Sequence, residues 1–296
     1  MGMRHSYRQS WHSLVRKLVT YLAFFCLLFW VGFPVYYMLI TSFMDPHELG
    51  AKPPNWLPKQ PTIENYREVV MGETAVRGAH SSHGEFSRMM PALLNSAFVS
   101  VAVVFSNLII GGMAAYAFSR FDFRLSRIVY LGVLMTRVLP ALSLIVPLFI
   151  ILRKLALINT LWALILTYTI FILPLTIWIL REYFDTLARD IEEMALIDGA
   201  TRWQAFRMVV APLAVPGLIA VGVMSFMEAW SEFFFALTLT NSLTYPPLLM
   251  SYRNLAQVNW NGLAAATTIG VLPPVTVAFV FQRYLVRGLS EGAVKG

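Results

Sequence analysis

Residues 181–216 read REYFDTLARDIEEMALIDGATRWQAFRMVVAPLAVP, a charged stretch inside an otherwise apolar chain. Acidic residues precede a short apolar run there, as in the first turn of a helix. Gly199 can adopt the left-handed conformation that ends a helix, and Thr201 suits the N-cap of a second helix. Trp203 and Phe206 are three residues apart and therefore share one face of that helix. The stretch predicts two short helices that meet at a glycine corner and expose aromatic rings to a partner.

The composition around this stretch is that of a membrane protein. Of the 296 residues, 57% are hydrophobic and only 13% are charged, and the mean hydropathy is +0.63. A soluble domain needs more charge than this on its surface, and a disordered chain has far fewer aromatic rings. The single Cys excludes a disulfide framework and a zinc site built on thiolates. The net charge of +7 suggests nucleic acid or a membrane surface as a partner, and the hydropathy decides for the membrane, where Lys and Arg gather on the cytoplasmic side, so no nucleic-acid partner is expected.

The apolar windows indicate how often the chain crosses the bilayer. A bilayer core of about 30 Å needs a helix of about 20 apolar residues. Six windows have this length, and only the third contains a charge, Arg137. The windows are residues 18–44, 89–119, 128–152, 155–180, 208–227 and 254–282. The sequence therefore predicts an all-α integral membrane protein whose residues 18–282 form six transmembrane helices, with a cytoplasmic helix-turn-helix loop.

Residues 233–252 are also uncharged and offer an alternative with seven spans. Five Ser, Thr and Asn residues precede Pro246 and Pro247 in this stretch, and the proline pair breaks a helical hydrogen-bond ladder. We interpret its first part as the outer end of the fifth span and its remainder as an outside loop.

Lys and Arg in the connecting segments predict the orientation. With six spans, residues 1–17, 120–127, 181–207 and 283–296 share one side of the membrane, and they carry 14 Lys and Arg. The segments on the opposite side, residues 45–88, 241–261 and the turn at 153–154, are slightly longer in total and carry 8 Lys and Arg. Both termini are therefore expected in the cytoplasm. The first window is too long for a cleaved signal, and no small-residue cleavage site follows it.

Two outside loops, residues 45–88 and 241–261, are expected to face a soluble partner. Within the first, residues 63–70 form a short amphipathic stretch that fits a helix. His80 and His83 lie beside Glu85 in the same loop, which suggests a metal site or a solvated polar loop. A structural zinc site needs about four organised ligands, and this composition favours the solvated loop.

The motif at the glycine corner resembles that of a known family. Glu193-Met194-Ala195 is followed by Asp198-Gly199-Ala200, then by Phe206 and by an Ala-Pro-Leu run that ends in Pro216. This pattern resembles the EAA loop of ABC importer permeases. The resemblance implies that loop 181–211 is a coupling helix seated in a cleft of an ATPase subunit. The implied coupling residues are Glu193, Met194, Ala195, Asp198, Gly199, Ala200, Trp203 and Phe206, and Met194 replaces the family's first Ala.

Other motifs look like the carbohydrate-uptake, maltose-type branch of that family. They are Asn95-Ser96, the run Ala114 to Phe121, Trp230-Ser231-Glu232-Phe233 and the final Gly-Ala-Val-Lys-Gly. About 260 residues take part in the resemblance, and polyol, glycerol-phosphate and oligosaccharide importers share the same motifs. In this branch the tail, here Gly288 to Gly296, reaches between the ATPase subunits.

Four residues in or near the spans are candidates for a translocation path, although each also has a structural interpretation. Arg137 in the third span would line the path, or it would reach toward the headgroups. Glu228 and Glu232 are four residues apart on one helix face, with Trp230 between them as a ring for sugar stacking. The alternative for these three is a cluster at the membrane interface.

The resemblance also implies the partners and the mechanism. They are a second homologous permease, two ATPase subunits that bind ATP and Mg, an extracytoplasmic solute-binding protein, a carbohydrate solute and membrane lipids. The chain has no Gly-x-x-x-x-Gly-Lys-Ser/Thr loop, so it does not bind ATP in that manner, and no cofactor or metal is expected in it. The implied mechanism is alternating access. The alternatives are a permease for another solute, such as glycerol-phosphate or amino acids, and a self-contained membrane enzyme.

Overall fold

A computed structural model describes residues 3–71, 89–252 and 258–293. It contains two compact units, residues 1–77 with 255–269 and residues 78–254 with 270–296. The described α-helices are α1 (Met3–Phe43), α2 (Pro46–Leu49), α3 (Glu64–Met71), α4 (Met89–Arg120), α5 (Ser126–Met135), α6 (Ile145–Lys154), α7 (Leu161–Thr186), α8 (Arg189–Ile197), α9 (Arg202–Ala205), α10 (Ala211–Leu213), α11 (Val215–Trp230), α12 (Phe234–Leu239), α13 (Tyr245–Leu248) and α14 (Trp260–Ala293).

Within the described ranges, four helices are long and apolar enough to cross a membrane. Two bent helix pairs raise the number to six if each pair is one span: Ser126–Val138 with Ala141–Lys154, and Arg202–Leu213 with Val215–Trp230. The predicted number of spans is therefore reached only with broken helices. Residues 233–252 hold the short helices α12 and α13 and a 3₁₀ turn, none of which is long enough for a seventh span.

In the first unit, side-chain amides cap the end of α1. The Asn65 Nδ2 donates to the carbonyl oxygens of Ser42 and Met44, at 2.9 and 2.8 Å. The Asn261 Nδ2 donates to the carbonyls of Thr41 and Met44, at 3.2 and 2.8 Å. The last carbonyls of a helix lack partners within it, so these amides satisfy groups that would otherwise be left unpaired. The predicted amphipathic helix at 63–70 is confirmed as α3.

In the second unit, α4, α7 and α11 pack closely around buried apolar side chains. Glycines allow this approach. A Cβ at Gly217 of α11 would lie 2.6 to 2.8 Å from the Tyr183 ring of α7. A Cβ at Gly111 of α4 would likewise collide with the Thr176 methyl of α7. Small residues let helix backbones come together where lipid supplies no hydrophobic driving force.

The third predicted span is not a continuous helix over 128–152. The chain leaves the helix at Leu139 and Pro140, where Leu139 has an extended ψ of 128°, and the two halves are bent by 96°. Proline disfavours the helical conformation in the preceding residue, which explains the break at this position. Pro174, in contrast, lies within the continuous helix α7.

The helices of the fourth and fifth predicted spans also differ from the apolar windows predicted for them. The fourth window begins at residue 155, but α7 begins at Leu161, because Ala156 and Asn159 adopt positive φ angles in a tight turn. The fifth window is bent by 74° between α10 and α11, near Pro212 and Pro216. Hydropathy measures apolar length and does not register either turn.

Candidate functional site

The predicted glycine corner is present between α8 and α9. Gly199 has φ of +88°, a left-handed conformation that other residues rarely adopt. Thr201 caps α9, since its hydroxyl accepts from the Gln204 N–H at 3.3 Å, and the Gln204 side chain accepts from the Thr201 N–H at 2.8 Å. This reciprocal capping box fixes the direction of the second helix as it leaves the corner.

An apolar surface is exposed on both sides of this corner. Met194 and Ile197 on α8 are 57% and 84% exposed, Trp203 on α9 is 58% exposed, and Met208 just beyond is 71% exposed. Glu193, Asp198 and Gly199 are exposed as well, while Ala195 and Ala200 are partly buried. We call the exposed residues from 193 to 208 the corner surface. Ile197 and Met208 were absent from the predicted set, although their apolar side chains in a charged loop were visible in the sequence.

Phe206 lies inward from the corner surface. Its ring stacks on Trp203 at 5.6 Å between centroids and packs against the Tyr116 ring of α4 at 4.7 Å. Trp203 therefore has one face on Phe206 and remains more than half exposed. The sequence correctly predicted that the two rings share a face, but only one of them is largely exposed.

A buried ion pair joins α8 to the end of α4. Arg120 Nε donates to Glu192 Oε2 at 2.9 Å, and the side chains are only 4% and 6% exposed. The Tyr116 hydroxyl donates to the other oxygen, Glu192 Oε1. Sequence reasoning missed this pair. The signal available was two consecutive acidic residues, Glu192 and Glu193, which lie about 100° apart around a helix and therefore have different surroundings.

The same arginine also fixes the end of α7. Arg120 Nη2 donates to the Leu187 carbonyl at 3.1 Å, and Nη1 donates to Ser119 Oγ at 3.2 Å. Arg189, the first residue of α8, donates to the Ser119 carbonyl at 2.8 Å. We call Tyr116, Arg120 and Glu192 the α4 anchor, because they attach the corner to α4.

The path candidates Arg137 and Glu228 are brought together. Arg137 Nη1 lies 2.8 Å from Glu228 Oε1 and 3.1 Å from the Phe171 carbonyl, to which it also donates. The two side chains are 38% and 40% exposed. Arg137 lies in the 3₁₀ turn directly before the break at Pro140, and Glu228 lies in the last turn of α11. The pair thus joins the break in the third span to the end of α11.

The other two path candidates make internal contacts. Glu232 accepts from the Tyr168 hydroxyl at 2.7 Å and from the Phe235 and Ala236 N–H groups at 2.9 and 3.1 Å, so it caps α12. Trp230 is only 6% exposed, and its indole N–H donates to the Gly270 carbonyl at 3.2 Å. Its ring stacks on Phe226 and on Tyr245, so the nearly buried ring offers little surface to a sugar in this structure.

The remaining predicted features fall outside the described residues. They are His80, His83 and Glu85, which were weighed as a metal site, and residues 294–296 at the end of the tail.

Residues 107–291 match the family described as binding-protein-dependent transport system inner membrane component. The sulfoquinovosyl glycerol transport system permease protein SmoH of Agrobacterium fabrum is 32% identical over 89% of each chain. The trehalose transport system permease protein SugB of Mycobacterium tuberculosis is 35% identical over 81% of this chain and 84% of its own.

A solved structure shares the fold. A chain of a bacterial ABC transporter involved in the import of the acidic polysaccharide alginate superposes with a TM-score of 0.74 at 20% identity, over 92% of this chain and 97% of that chain. The binding-protein-dependent family implies a solute-binding protein and an ATPase as partners. The chain therefore belongs to the family of binding-protein-dependent transport system inner membrane components, and it is a membrane-spanning permease subunit of an ABC importer rather than an enzyme.

Proposed function

We propose that this chain is a permease of a carbohydrate importer that works by alternating access, and that the corner surface receives the movement of a separate ATPase. The carbohydrate class is supported by relatives named for trehalose and for sulfoquinovosyl glycerol. ATP and Mg would be held by the ATPase subunits, and a second homologous permease would form the opposite wall of the path. The distribution of Lys and Arg supports cytoplasmic termini.

One observation carries the coupling proposal: the corner surface combines exposed apolar side chains with a rigid attachment to a long membrane helix. Large apolar groups exposed on a loop mark a docking surface for another protein. The α4 anchor ties α8 to α4 through a buried ion pair, and Phe206 ties the residues after α9 to the same Tyr116. Both sides of the Gly199 corner are therefore attached to α4, so a push on the corner displaces the helix with it.

Thermodynamic linkage would couple ATP binding to docking of the solute-binding protein. If ATP binding and docking of the loaded solute-binding protein both favour the same conformation, each increases the affinity for the other. Outside loops 45–88 and 241–261 would contact the solute-binding protein. Cross-linking at these loops should capture that protein when solute is present, and its repeated absence would contradict the assignment.

The central test changes the corner in the assembled transporter. Gly199→Pro forces φ to about −65°, which is incompatible with the observed +88°. We expect this variant to abolish solute-stimulated ATP hydrolysis while the chain remains in the membrane. Glu193→Lys reverses an exposed charge on the corner surface, and the same loss is expected.

Gly199→Asn is the matched control, because Asn tolerates the left-handed conformation better than other residues with a side chain. It should retain most of the stimulation. Normal stimulation in Gly199→Pro or in Glu193→Lys would contradict the coupling assignment.

A further inference from the structure

We propose that the Arg137–Glu228 pair is a subsite on this chain for the hydroxyl groups of an uncharged solute. The inference rests on the importer function proposed above and adds the chemistry that this chain presents to the solute. It is carried by three observations: the pair's place between a helix break and a helix end, its hydrogen-bonding groups that meet no partner among the described residues, and its balanced charge.

The location argues that the exposed half of the pair faces a polar space. Arg137 directly precedes the 96° bend at Pro140, and Glu228 precedes the end of α11 by two residues. A charged pair exposed to lipid is costly, and interrupted backbone at membrane depth is tolerated only inside protein or along a water-filled cavity. The exposure of Arg137 and Glu228, 38% and 40%, therefore indicates a cavity or path, because contact with lipid would be unfavourable for the charges and for the interrupted backbone.

The pair keeps hydrogen-bonding groups available. Arg137 donates from Nη1 to Glu228 Oε1 and to the Phe171 carbonyl. In the part of the chain that the structure describes, Arg137 Nε and Nη2 meet no acceptor, and Glu228 Oε2 meets no donor. Two guanidinium nitrogens and one carboxylate oxygen of the pair thus keep their hydrogen-bonding capacity. Glu232 differs, because both of its oxygens are used by Tyr168 and α12.

This donor and acceptor set matches hydroxyl groups. Each hydroxyl both donates and accepts, so adjacent hydroxyls of one sugar ring can accept from the Arg137 edge and donate to Glu228. The two charges cancel, so the pair as a whole attracts no net charge. A solute carboxylate, sulfonate or phosphate would satisfy Arg137, but it would place a second negative charge beside Glu228, which is unfavourable. The geometry therefore favours an uncharged, hydroxyl-rich solute.

The test measures binding to the assembled transporter in phosphatidylcholine vesicles, held in one state by a non-hydrolysable ATP analogue and without the solute-binding protein. The probes are radiolabelled neutral sugars and polyols, from glycerol to trehalose and raffinose, and the anionic digalacturonate. The variants are Glu228→Gln and Arg137→Lys. Arg153→Lys is the matched control, since Arg153 is an exposed arginine at the end of α6, on the far side of the break.

We expect the wild-type transporter to bind a neutral probe more tightly than digalacturonate. Glu228→Gln removes the negative charge and lowers the affinity for the neutral probe by about tenfold, which is the effect of losing one hydrogen bond to a charged group. It should also raise the affinity for digalacturonate, because Arg137 is no longer neutralised. Arg137→Lys should lower the affinity for the neutral probe by a similar factor, since a Lys ammonium lacks the additional N–H donors of the guanidinium. Arg153→Lys should match the wild type.

Several results would overturn the proposal: tighter wild-type binding of digalacturonate, no binding of any neutral probe, or an unchanged charge preference in Glu228→Gln. The last result is expected if the pair is only structural or is covered by a side chain of the second permease. Neutral-probe binding that disappears on addition of phosphatidylglycerol would show that a lipid phosphate takes Arg137, and it too would overturn the proposal. Failure of the importer function is distinguishable, because the wild-type complex would then show no ATP hydrolysis stimulated by the loaded solute-binding protein.

Discussion

Two arginine–glutamate pairs in the second unit have nearly equal N···O distances but different surroundings. Arg120 Nε lies 2.9 Å from Glu192 Oε2, and Arg137 Nη1 lies 2.8 Å from Glu228 Oε1. The first pair is almost fully buried, and the second is more than one-third exposed. All three guanidinium nitrogens of Arg120 have acceptors, whereas Arg137 uses one of its three within the described part of the chain.

The comparison separates a pair that holds helices together from a pair that can receive a ligand. Burying two charges costs free energy, which is recovered only when the remaining donors and acceptors are also satisfied. The Arg120 pair meets that condition and lies under the corner surface, so we interpret it as a positioning element. Among the described residues the Arg137 pair does not meet it, which supports the proposal that its remaining groups bind a solute.

The largest expected effect is on the buried pair. Arg120→Ala leaves the Glu192 carboxylate buried without its cation, and it removes the hydrogen bond to the Leu187 carbonyl. Breaking a buried pair in this way costs about 3–5 kcal/mol. We expect a loss of that order in the free energy of unfolding, measured by denaturant titration of the purified chain in detergent, and a lower amount of chain in the membrane.

The double variant Arg120→Met with Glu192→Met is the control for this prediction. It removes both charges, and replacing a buried pair with apolar side chains is often neutral. It should recover most of the stability lost in the single variant. A single variant as stable as the wild type would show that the pair does not hold the corner to α4.

The second prediction compares two adjacent glutamates. Glu192→Gln weakens the bonds to Arg120 and Tyr116, and loss of a hydrogen bond to a charged group costs about 1.5–3 kcal/mol. Glu193→Gln changes an exposed side chain, and its effect on stability should stay within about 0.5 kcal/mol. Thermal unfolding of both variants checks the difference. Equal losses would mean that α8 is rotated relative to the orientation described above.

The difference between these neighbours was not predictable from the sequence, although much of the corner was. Gly199 and Thr201 act through their own backbone and side-chain chemistry, so local rules predicted the left-handed turn and the cap. Which of Glu192 and Glu193 is buried depends on Arg120, 72 residues away along the chain. That contact is set by the packing of α4 and α7, which residue types in one segment do not reveal.

The spans show the same limit. Apolar length predicted the membrane helices, because hydropathy is additive along a segment. It did not predict the break at Pro140, since Pro174 lies in an unbroken helix and Pro140 does not. Trp230 between two glutamates suggested a stacking ring, but its indole N–H is used within the fold. Whether a polar or aromatic group is available for a ligand depends on partners that only the tertiary structure supplies.

The smallest expected effect is on the exposed pair. Arg137→Gln removes one charge from a pair whose members are 38% and 40% exposed, and such pairs contribute less than about 1 kcal/mol in water. If the exposed half faces an aqueous path, the free energy of unfolding should fall by less than that amount, measured as for Arg120→Ala. If it faced lipid or closed protein instead, the unpaired Glu228 would be poorly solvated and the loss would approach that of Arg120→Ala. A small loss therefore supports the distinction between the two pairs, and a loss of several kcal/mol would make the Arg137 pair a second structural joint.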